Sequence, residues 1–109
     1  MLDSDDPFHV EGDREFLCEL AKVYLDEVSK LMIAIAADVE QNDIITAARR
    51  AHTIKGASSN FSAQAVYDAA WNFEQLLSSS DSEQVAAAYD KLRHETDRLN
   101  QALRREFAI

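Results

Sequence analysis

Four residues within one predicted helix could together support group transfer to a nitrogen atom. They are His52, Lys55, Gly56 and Ser59. At about 100° per residue, Lys55 lies about 60° to one side of His52, Gly56 about 40° to the other side, and Ser59 about 20° away. A neutral imidazole is a competent nucleophile near pH 7, and an ammonium one helical turn away can offset negative charge. This face therefore suits the acceptance of a phosphoryl group on His52.

The glycine is the least expected member of this face. A glycine costs roughly 1 kcal/mol relative to alanine in a helix interior. Gly56 and Ser59 have small side chains and would leave open space beside the imidazole ring. A bulky partner could then bring its reacting atom close to the ring. Phosphoryl transfer passes through a loose, in-line transition state that needs approach and charge stabilisation above all. The spacing alone leaves three plainer interpretations open: a solvated histidine, an ordinary surface lysine and a glycine required by tight helix packing.

Composition disfavours several other functions. The formal net charge of −9 opposes binding to nucleic acid or to an anionic membrane. The single cysteine, Cys18, allows no disulfide within the chain and is expected to be a buried small hydrophobe. His9 and His94 have no comparable setting, and His94 lies in a charged run with Arg93 and Glu95 that is expected to be mostly solvated. We expect no metal site.

The amino terminus does not resemble a secretory signal, because it carries three aspartates and no apolar run. No segment approaches the ~18 apolar residues that span a bilayer. We therefore expect a soluble, cytoplasmic protein. Residues 1–12 are predicted to be an irregular acidic lead-in, in which a short helix can form, and residues 13–109 to form one domain.

Apolar residues recur at intervals of three and four along this domain, which predicts amphipathic helices. Four stripes can be followed: Leu17, Leu20, Tyr24, Val28, Leu31, Ile35 and Val39; Ile44, Ala47, Ala51, Ile54, Ser58 and Phe61; Val66, Ala70, Phe73 and Leu77; and Val85, Tyr89, Leu92, Thr96, Leu99 and Leu103. Charged residues of the first helix, Asp38 among them, are expected to lie mainly off its stripe. The pattern predicts an all-α fold, an up-down-up-down antiparallel four-helix bundle, and a short N-terminal helix can precede it.

Polar residues mark the predicted helix boundaries. Asp13 can cap the first helix, which should end near residues 41–42, and Asp43 can cap the second. Ser62 is predicted to cap the third helix, and Ser82 or Asp81 the fourth.

The segment RAHTIKGASSNFSA, residues 50–63, closely resembles the signature of histidine-containing phosphotransfer (HPt) domains. That signature reads roughly AH-x-hydrophobic-KG, followed by small residues, Asn, a hydrophobic residue, Gly and Ala. Residues 13–20, 42–43 and 73–74 are also similar to the family, so the resemblance covers nearly the whole chain. Ser62 departs from it, because the family commonly has glycine there, at the helix break. Trp71 is bulky for its neighbourhood.

The resemblance implies a role for each member of the face. His52 would accept the phosphoryl group through Nε2, Lys55 would lie near that group, and Gly56 would clear space for the partner. In the family, a Glu or Gln on the next helix bonds Nδ1 of the histidine. If the chain turns back near residues 61–64, a rise of 1.5 Å per residue brings residues 71–75 level with His52. Glu74 matches this position, although it could also be a solvated glutamate.

The implied function is that of a phosphorelay intermediate. Such a carrier accepts a phosphoryl group from a receiver-domain aspartyl-phosphate or a histidine kinase and passes it to a receiver domain. We expect no autonomous kinase activity and no cofactor, because the partner receiver would supply Mg²⁺. Ile45 and Arg49 are candidate docking residues, and a monomer is expected.

Two other functions stay open. A four-helix adaptor that is never phosphorylated predicts that His52→Ala leaves partner binding and signalling intact. A helical-bundle metalloenzyme lacks the inward-facing carboxylate and histidine pairs that it would need. The donor, the acceptor, the direction of transfer, and whether the domain stands alone or belongs to a larger kinase are not indicated by the sequence.

Overall fold

The computed structural model describes residues 14–109. The lead-in predicted for residues 1–12, the cap at Asp13 and His9 lie outside these residues. The described chain forms four α-helices, and a 3₁₀ turn at Ser59–Phe61 follows the second; the helices are Arg14–Glu40 (α1), Ile44–Ser58 (α2), Gln64–Leu76 (α3) and Ser82–Phe107 (α4). No strand occurs in this part of the chain, so the all-α prediction is confirmed.

Contacts between the helices run antiparallel, as predicted. The start of α1 meets the end of α4, where Arg14 donates to the carboxylate of Glu106 at 2.9 Å. Later in α1, the backbone oxygen of Met32 accepts a hydrogen bond from Tyr89, near the start of α4. Helix α2 contacts both α1 and α3 extensively, so it occupies one side of the bundle, with a neighbour on either flank.

The predicted stripes form the core. Side chains buried within it include Tyr24, Ile35, Ile54, Phe61, Val66, Phe73, Leu92 and Leu103. The ring of Tyr24 meets that of Phe61 edge to face, with centroids 5.4 Å apart, and so joins α1 to the chain that follows α2. Helix α2 buries the small side chains Ala47, Ala51 and Ser58 together with Ile54. Small side chains let neighbouring backbones approach closely, and this closeness positions the groups on the opposite face of α2.

Two carboxylates that we expected at the solvent are buried instead. Asp38 is 8% exposed and accepts a hydrogen bond from Nε of Arg50 at 2.7 Å, which ties α1 to α2. Glu95 is 4% exposed and pairs with Lys91 and Arg98 along α4. Both expectations were wrong because helical periodicity does not show whether a nearby cation can neutralise a buried carboxylate.

Helix boundaries follow the predicted caps with one exception. Asp43 accepts a hydrogen bond from the amide of Thr46, and Asp81 accepts from Glu83 and Gln84. The predicted cap at Ser62 is wrong, because the residue before α3 is Ala63 and it makes no side-chain cap. Ser62 instead adopts the left-handed conformation, with φ 53° and ψ 34°, which explains why glycine is common at this position in the family that the sequence resembles.

This backbone conformation predicts that Ser62→Gly stabilises the protein. A non-glycine residue in the left-handed region costs roughly 1–2 kcal/mol, and glycine's greater freedom in the unfolded chain offsets part of the gain. We expect the free energy of unfolding to rise by roughly 0.5–1 kcal/mol, measured by urea denaturation. Ser59 is a matched control, because its φ of −65° is right-handed and Ser59→Gly should lower stability. Equal effects of the two substitutions would contradict the prediction.

Candidate functional site

Helix α2 holds His52 at the surface of the bundle. Ala51 and Ile54 on either side of it in the sequence are fully buried, so the helix cannot rotate about its axis without exposing the core. The imidazole side chain is 72% exposed. His52 is therefore fixed at its backbone and open at its ring, which suits a group that another protein must reach.

Helix α3 brings Glu74 against the imidazole. Phe73 is fully buried and fixes the rotation of α3, while the Glu74 side chain is 15% exposed and one of its oxygens, Oε1, lies 3.4 Å from Nδ1 of His52. This distance is slightly longer than the 2.7–3.2 Å of a typical N–H···O hydrogen bond. Because Nδ1 faces the carboxylate, Nε2 on the far side of the ring faces solvent. The hairpin geometry predicted from the sequence thus brings the two side chains together.

Lys55 has a different neighbour from the one expected. Its ammonium donates to the second oxygen of Glu74, Oε2, at 2.8 Å, and its side chain is only 12% exposed. The ammonium also lies over the ring of Tyr67, 5.6 Å from the centroid. Lys55 and His52 thus both contact Glu74, and the charge of Lys55 faces this carboxylate.

Gly56 and Ser59 leave open space beside the ring. A Cβ atom built on Gly56 has no heavy atom of a neighbouring element within 4 Å, so tight helix packing does not explain this glycine. Ser59 is exposed, and its hydroxyl donates to the backbone oxygen of Gly56 at 2.6 Å. Tight helix packing is therefore excluded as the reason for Gly56, and the interpretation of Gly56 as open space beside the imidazole remains.

The two predicted docking residues lie on the histidine face of α2. Ile45 is 74% exposed and lies about 20° around the helix from His52 and about 10.5 Å along it. Arg49 is exposed, and within residues 14–109 no carboxylate pairs with it. An apolar groove of about 130 Å³ runs beside this face between α1 and α2, and its lining includes Val23, Leu31 and Thr53.

Two features of the site were missed by sequence reasoning. The groove beside Thr53 depends on how α1 and α2 meet, which no single-helix pattern shows. Tyr67 could have been found, because it precedes Glu74 by seven residues, two helical turns, and so shares its face.

Residues 14–109 contain no group of three histidine, cysteine or acidic side chains arranged to hold a metal ion. Among the helices of this same region, none combines the length and apolarity needed to cross a bilayer.

An antiparallel helical bundle that exposes one imidazole, backed by a carboxylate from the next helix, defines the class of histidine phosphotransfer domains. Comparison with protein families agrees, because the model described as "Hpt domain" matches residues 19–103. The chain belongs to this family.

One curated relative is similar over most of this chain. The "Phosphorelay intermediate protein rdeA" of Dictyostelium discoideum is 28% identical over 87 residues, which are 80% of this chain and 34% of the relative. The chain thus spans about a third of that protein's length. No solved structure matches significantly.

The open surroundings of Gly56 predict that Gly56→Ala stabilises the isolated protein. The added methyl group meets nothing and alanine is the better helix former, so the free energy of unfolding should rise by about 0.5–1 kcal/mol. Ala87 on α4 is exposed, and Ala87→Gly should lower stability by a similar amount. Chemical denaturation measures both effects. A loss of stability in Gly56→Ala would show that the glycine is needed by the fold itself.

Proposed function

We propose that the chain is a histidine phosphotransfer protein that carries a phosphoryl group on Nε2 of His52. The observation that supports this most is the imidazole itself, 72% exposed with Nδ1 turned toward Glu74. This arrangement leaves the nucleophilic nitrogen free and accessible. Membership of the Hpt domain family and the similarity to a phosphorelay intermediate support the same function.

The transfer onto His52 is a displacement at phosphorus. The lone pair of Nε2 attacks the phosphorus of an aspartyl-phosphate, the N–P bond forms, and the P–O bond to the aspartate breaks. The aspartate leaves with the electron pair as a carboxylate, and the ring, which keeps its proton on Nδ1, becomes positively charged. Glu74 stabilises this charge because its Oε1 faces Nδ1. Passing the group to a second receiver reverses these steps.

A receiver domain would supply the remaining groups for the reaction. The transition state carries charge on its equatorial oxygens, which Mg²⁺ and cations of the receiver can stabilise. The chain then needs no cofactor and no kinase activity of its own, and a histidine kinase is the alternative phosphoryl donor. We propose that the protein acts as a monomer in the cytoplasm, where two-component receivers and kinases exchange phosphoryl groups.

Substitution of His52 tests the phosphoryl acceptor. Purified protein is incubated with receiver domains of the source organism that have been phosphorylated with acetyl phosphate, and labelled phosphate is followed on gels and by ³¹P NMR. The wild type should gain an acid-labile phosphate that His52→Gln does not gain. His94 on α4 is also exposed, and His94→Gln should be labelled like the wild type. Equal labelling of His52→Gln and wild type would refute the proposal.

The surface around His52 fits a receiver that approaches along α2. In-line transfer brings the receiver's aspartate to Nε2, so the receiver must also cover Ile45, about 10.5 Å along the helix. Exposed apolar side chains near the centre of an interface supply much of its binding energy. Arg49 adds a positive charge that is complementary to the acidic rim around a receiver's aspartate.

A pair of equally exposed isoleucines tests this docking surface. Ile45 and Ile33 are both 74% exposed. Ile33 lies on α1 and away from the α1–α2 groove, since it is about 120° around that helix from Glu27, which lines the groove. Ile45→Glu should weaken receiver binding roughly tenfold, as expected for a central interface residue, while Ile33→Glu should leave it unchanged. Calorimetric titration with an active receiver measures both. Equal affinities for the two variants would place the receiver elsewhere.

A further inference from the structure

A groove of about 400 Å³ opens between α1 and α4, at the end of the bundle that carries the α1–α2 and α3–α4 loops. Helix α1 touches α4 far less than it touches α2, so this seam of the bundle is left uncovered. Because α2 lies between α1 and α3, the α1–α4 seam is on the opposite side of the bundle from His52 and Glu74. The volume falls within the roughly 300–1,000 Å³ of typical binding sites, and the phosphotransfer site makes no use of it.

The walls of the groove are apolar and include small side chains. Its apolar lining consists of Ala36, Val39, Ile44, Leu77, Val85 and Ala86. Ala36 and Ala86 are exposed on the two facing flanks, which lets the backbone of another helix approach closely. Ile33 is 74% exposed, lies one helical turn before Ala36 and extends the apolar surface along α1. The hydroxyl of Tyr89 donates to the backbone oxygen of Met32 at 2.9 Å and fixes the spacing of the two helices beside the groove.

Negative charge surrounds the groove. The segments that form this end of the bundle, residues 33–48 and 77–90, contain no lysine, arginine or histidine, and their acidic residues are Asp38, Glu40, Asp43, Asp81, Glu83 and Asp90. From outside these segments, Arg50 pairs with Asp38 and Arg93 lies 3.7 Å from Asp90. The other carboxylates keep their charge, so this end of the bundle repels acidic partners and attracts basic ones.

Two of these carboxylates flank the groove directly. Glu40 follows Ala36 by four residues on α1, and Glu83 precedes Ala86 by three residues on α4, so each lies one helical turn from an exposed residue of the lining. Both glutamates are exposed, and within residues 14–109 neither pairs with a cationic side chain. The groove thus combines an apolar floor with a negative charge on either side.

We propose that this groove is a second docking site, which binds a partner protein through a basic amphipathic helix. The apolar face of such a helix would pack between α1 and α4, and its lysine or arginine residues would lie beside Glu40 and Glu83. A second copy of this chain fits less well, because a symmetric contact would bring the same carboxylates against each other. The inference does not depend on the role of His52, which lies on the other side of the bundle.

Three synthetic peptides test the chemistry of this partner. Each has about 14 residues, carries fluorescein and is titrated with the purified protein while fluorescence anisotropy is followed. A leucine–lysine peptide with one apolar helical face should bind. The same peptide with glutamate in place of lysine should bind at least roughly 100-fold more weakly, and a scrambled peptide of equal charge but without an apolar face roughly tenfold more weakly. Equal affinities for the scrambled and amphipathic peptides would overturn the proposal.

Two neighbouring alanines of α4 test the location of the site. Ala86 and Ala87 are both exposed, but only Ala86 lines the groove. Arginine at either position adds the same charge, and arginine is a good helix former. Ala86→Arg should weaken binding of the amphipathic peptide roughly tenfold, whereas Ala87→Arg should change it by less than about twofold. Equal losses in the two variants would show attraction by overall charge and would refute the groove as the site.

Removal of charge gives an independent test. The double variant Glu40→Gln with Glu83→Gln should bind the amphipathic peptide roughly tenfold more weakly than the wild type. Glu15 and Asp97 are exposed elsewhere on α1 and α4, so Glu15→Gln with Asp97→Asn removes the same charge and should leave the affinity close to that of the wild type. The proposal fails if the two double variants lose affinity equally.

Sedimentation velocity distinguishes a second copy from a partner protein. A dimer that Ala86→Arg abolishes would overturn the proposal by assigning the groove to self-association. Ala86→Arg should still gain phosphate from receivers as the wild type does, so that loss of peptide binding and loss of phosphotransfer are separate outcomes. If no receiver exchanges phosphate with the wild type, the relay function fails, and the peptide titrations still decide whether the groove is a docking site.

Discussion

The close packing of α2 against α3 is the constraint on which the site depends. A glutamate side chain is short, so Glu74 can reach both His52 and Lys55 only if the two helix axes lie close together. The buried faces provide this closeness, because α2 contributes Ala47 and Ala51 and α3 contributes Ala69 and Ala70. The larger apolar side chains of α1 and α4 then enclose this pair of helices.

The ion pair between Asp38 and Arg50 gives the other flank of α2 a similar fixed contact. It lies close to the histidine along the helix and joins α2 to α1 at 2.7 Å. Helix α2 is thus held on one side by α1 and on the other by α3, each time through a cation of α2 and a carboxylate of its neighbour. Such paired charges fix register more than they add stability, since removing both charges from water is costly. For a site that must present one ring atom at a defined place, register matters most.

The bundle and most of the site could be predicted from the sequence. Helical periodicity identifies Ile54, Phe73 and the other core positions, because burial on one face is a local property of each helix. The position of Glu74 at the same height along the bundle as His52 follows from the rise per residue and the position of the turn between α2 and α3. The remaining features depend on which side chains of different helices pair with each other. Whether Lys55 turns toward solvent or toward Glu74, and whether Asp38 is buried, is decided by partners on other helices.

The conformation of Ser62 could not be predicted directly from the sequence pattern either. The residues around it marked a helix break, and a serine at a break is most often a cap. The actual turn uses a left-handed residue and begins α3 one position later, so that Ala63 precedes the helix without a side-chain cap. The family's preference for glycine at this position was the available signal, and it indicated backbone conformation correctly.

The two ion pairs of α2 also determine the net charge that the exposed face of this helix presents to a partner. Asp38 and Glu74 neutralise Arg50 and Lys55 within the protein, so Arg49 provides the remaining positive charge of α2. A phosphoryl group on His52 would add about two negative charges while the ring gains one positive charge, so this surface would become more negative by about one charge. A receiver whose own phosphate has just been transferred would then be attracted less strongly, which favours its departure. The loaded and empty carriers would thus differ in the charge that they present to a receiver.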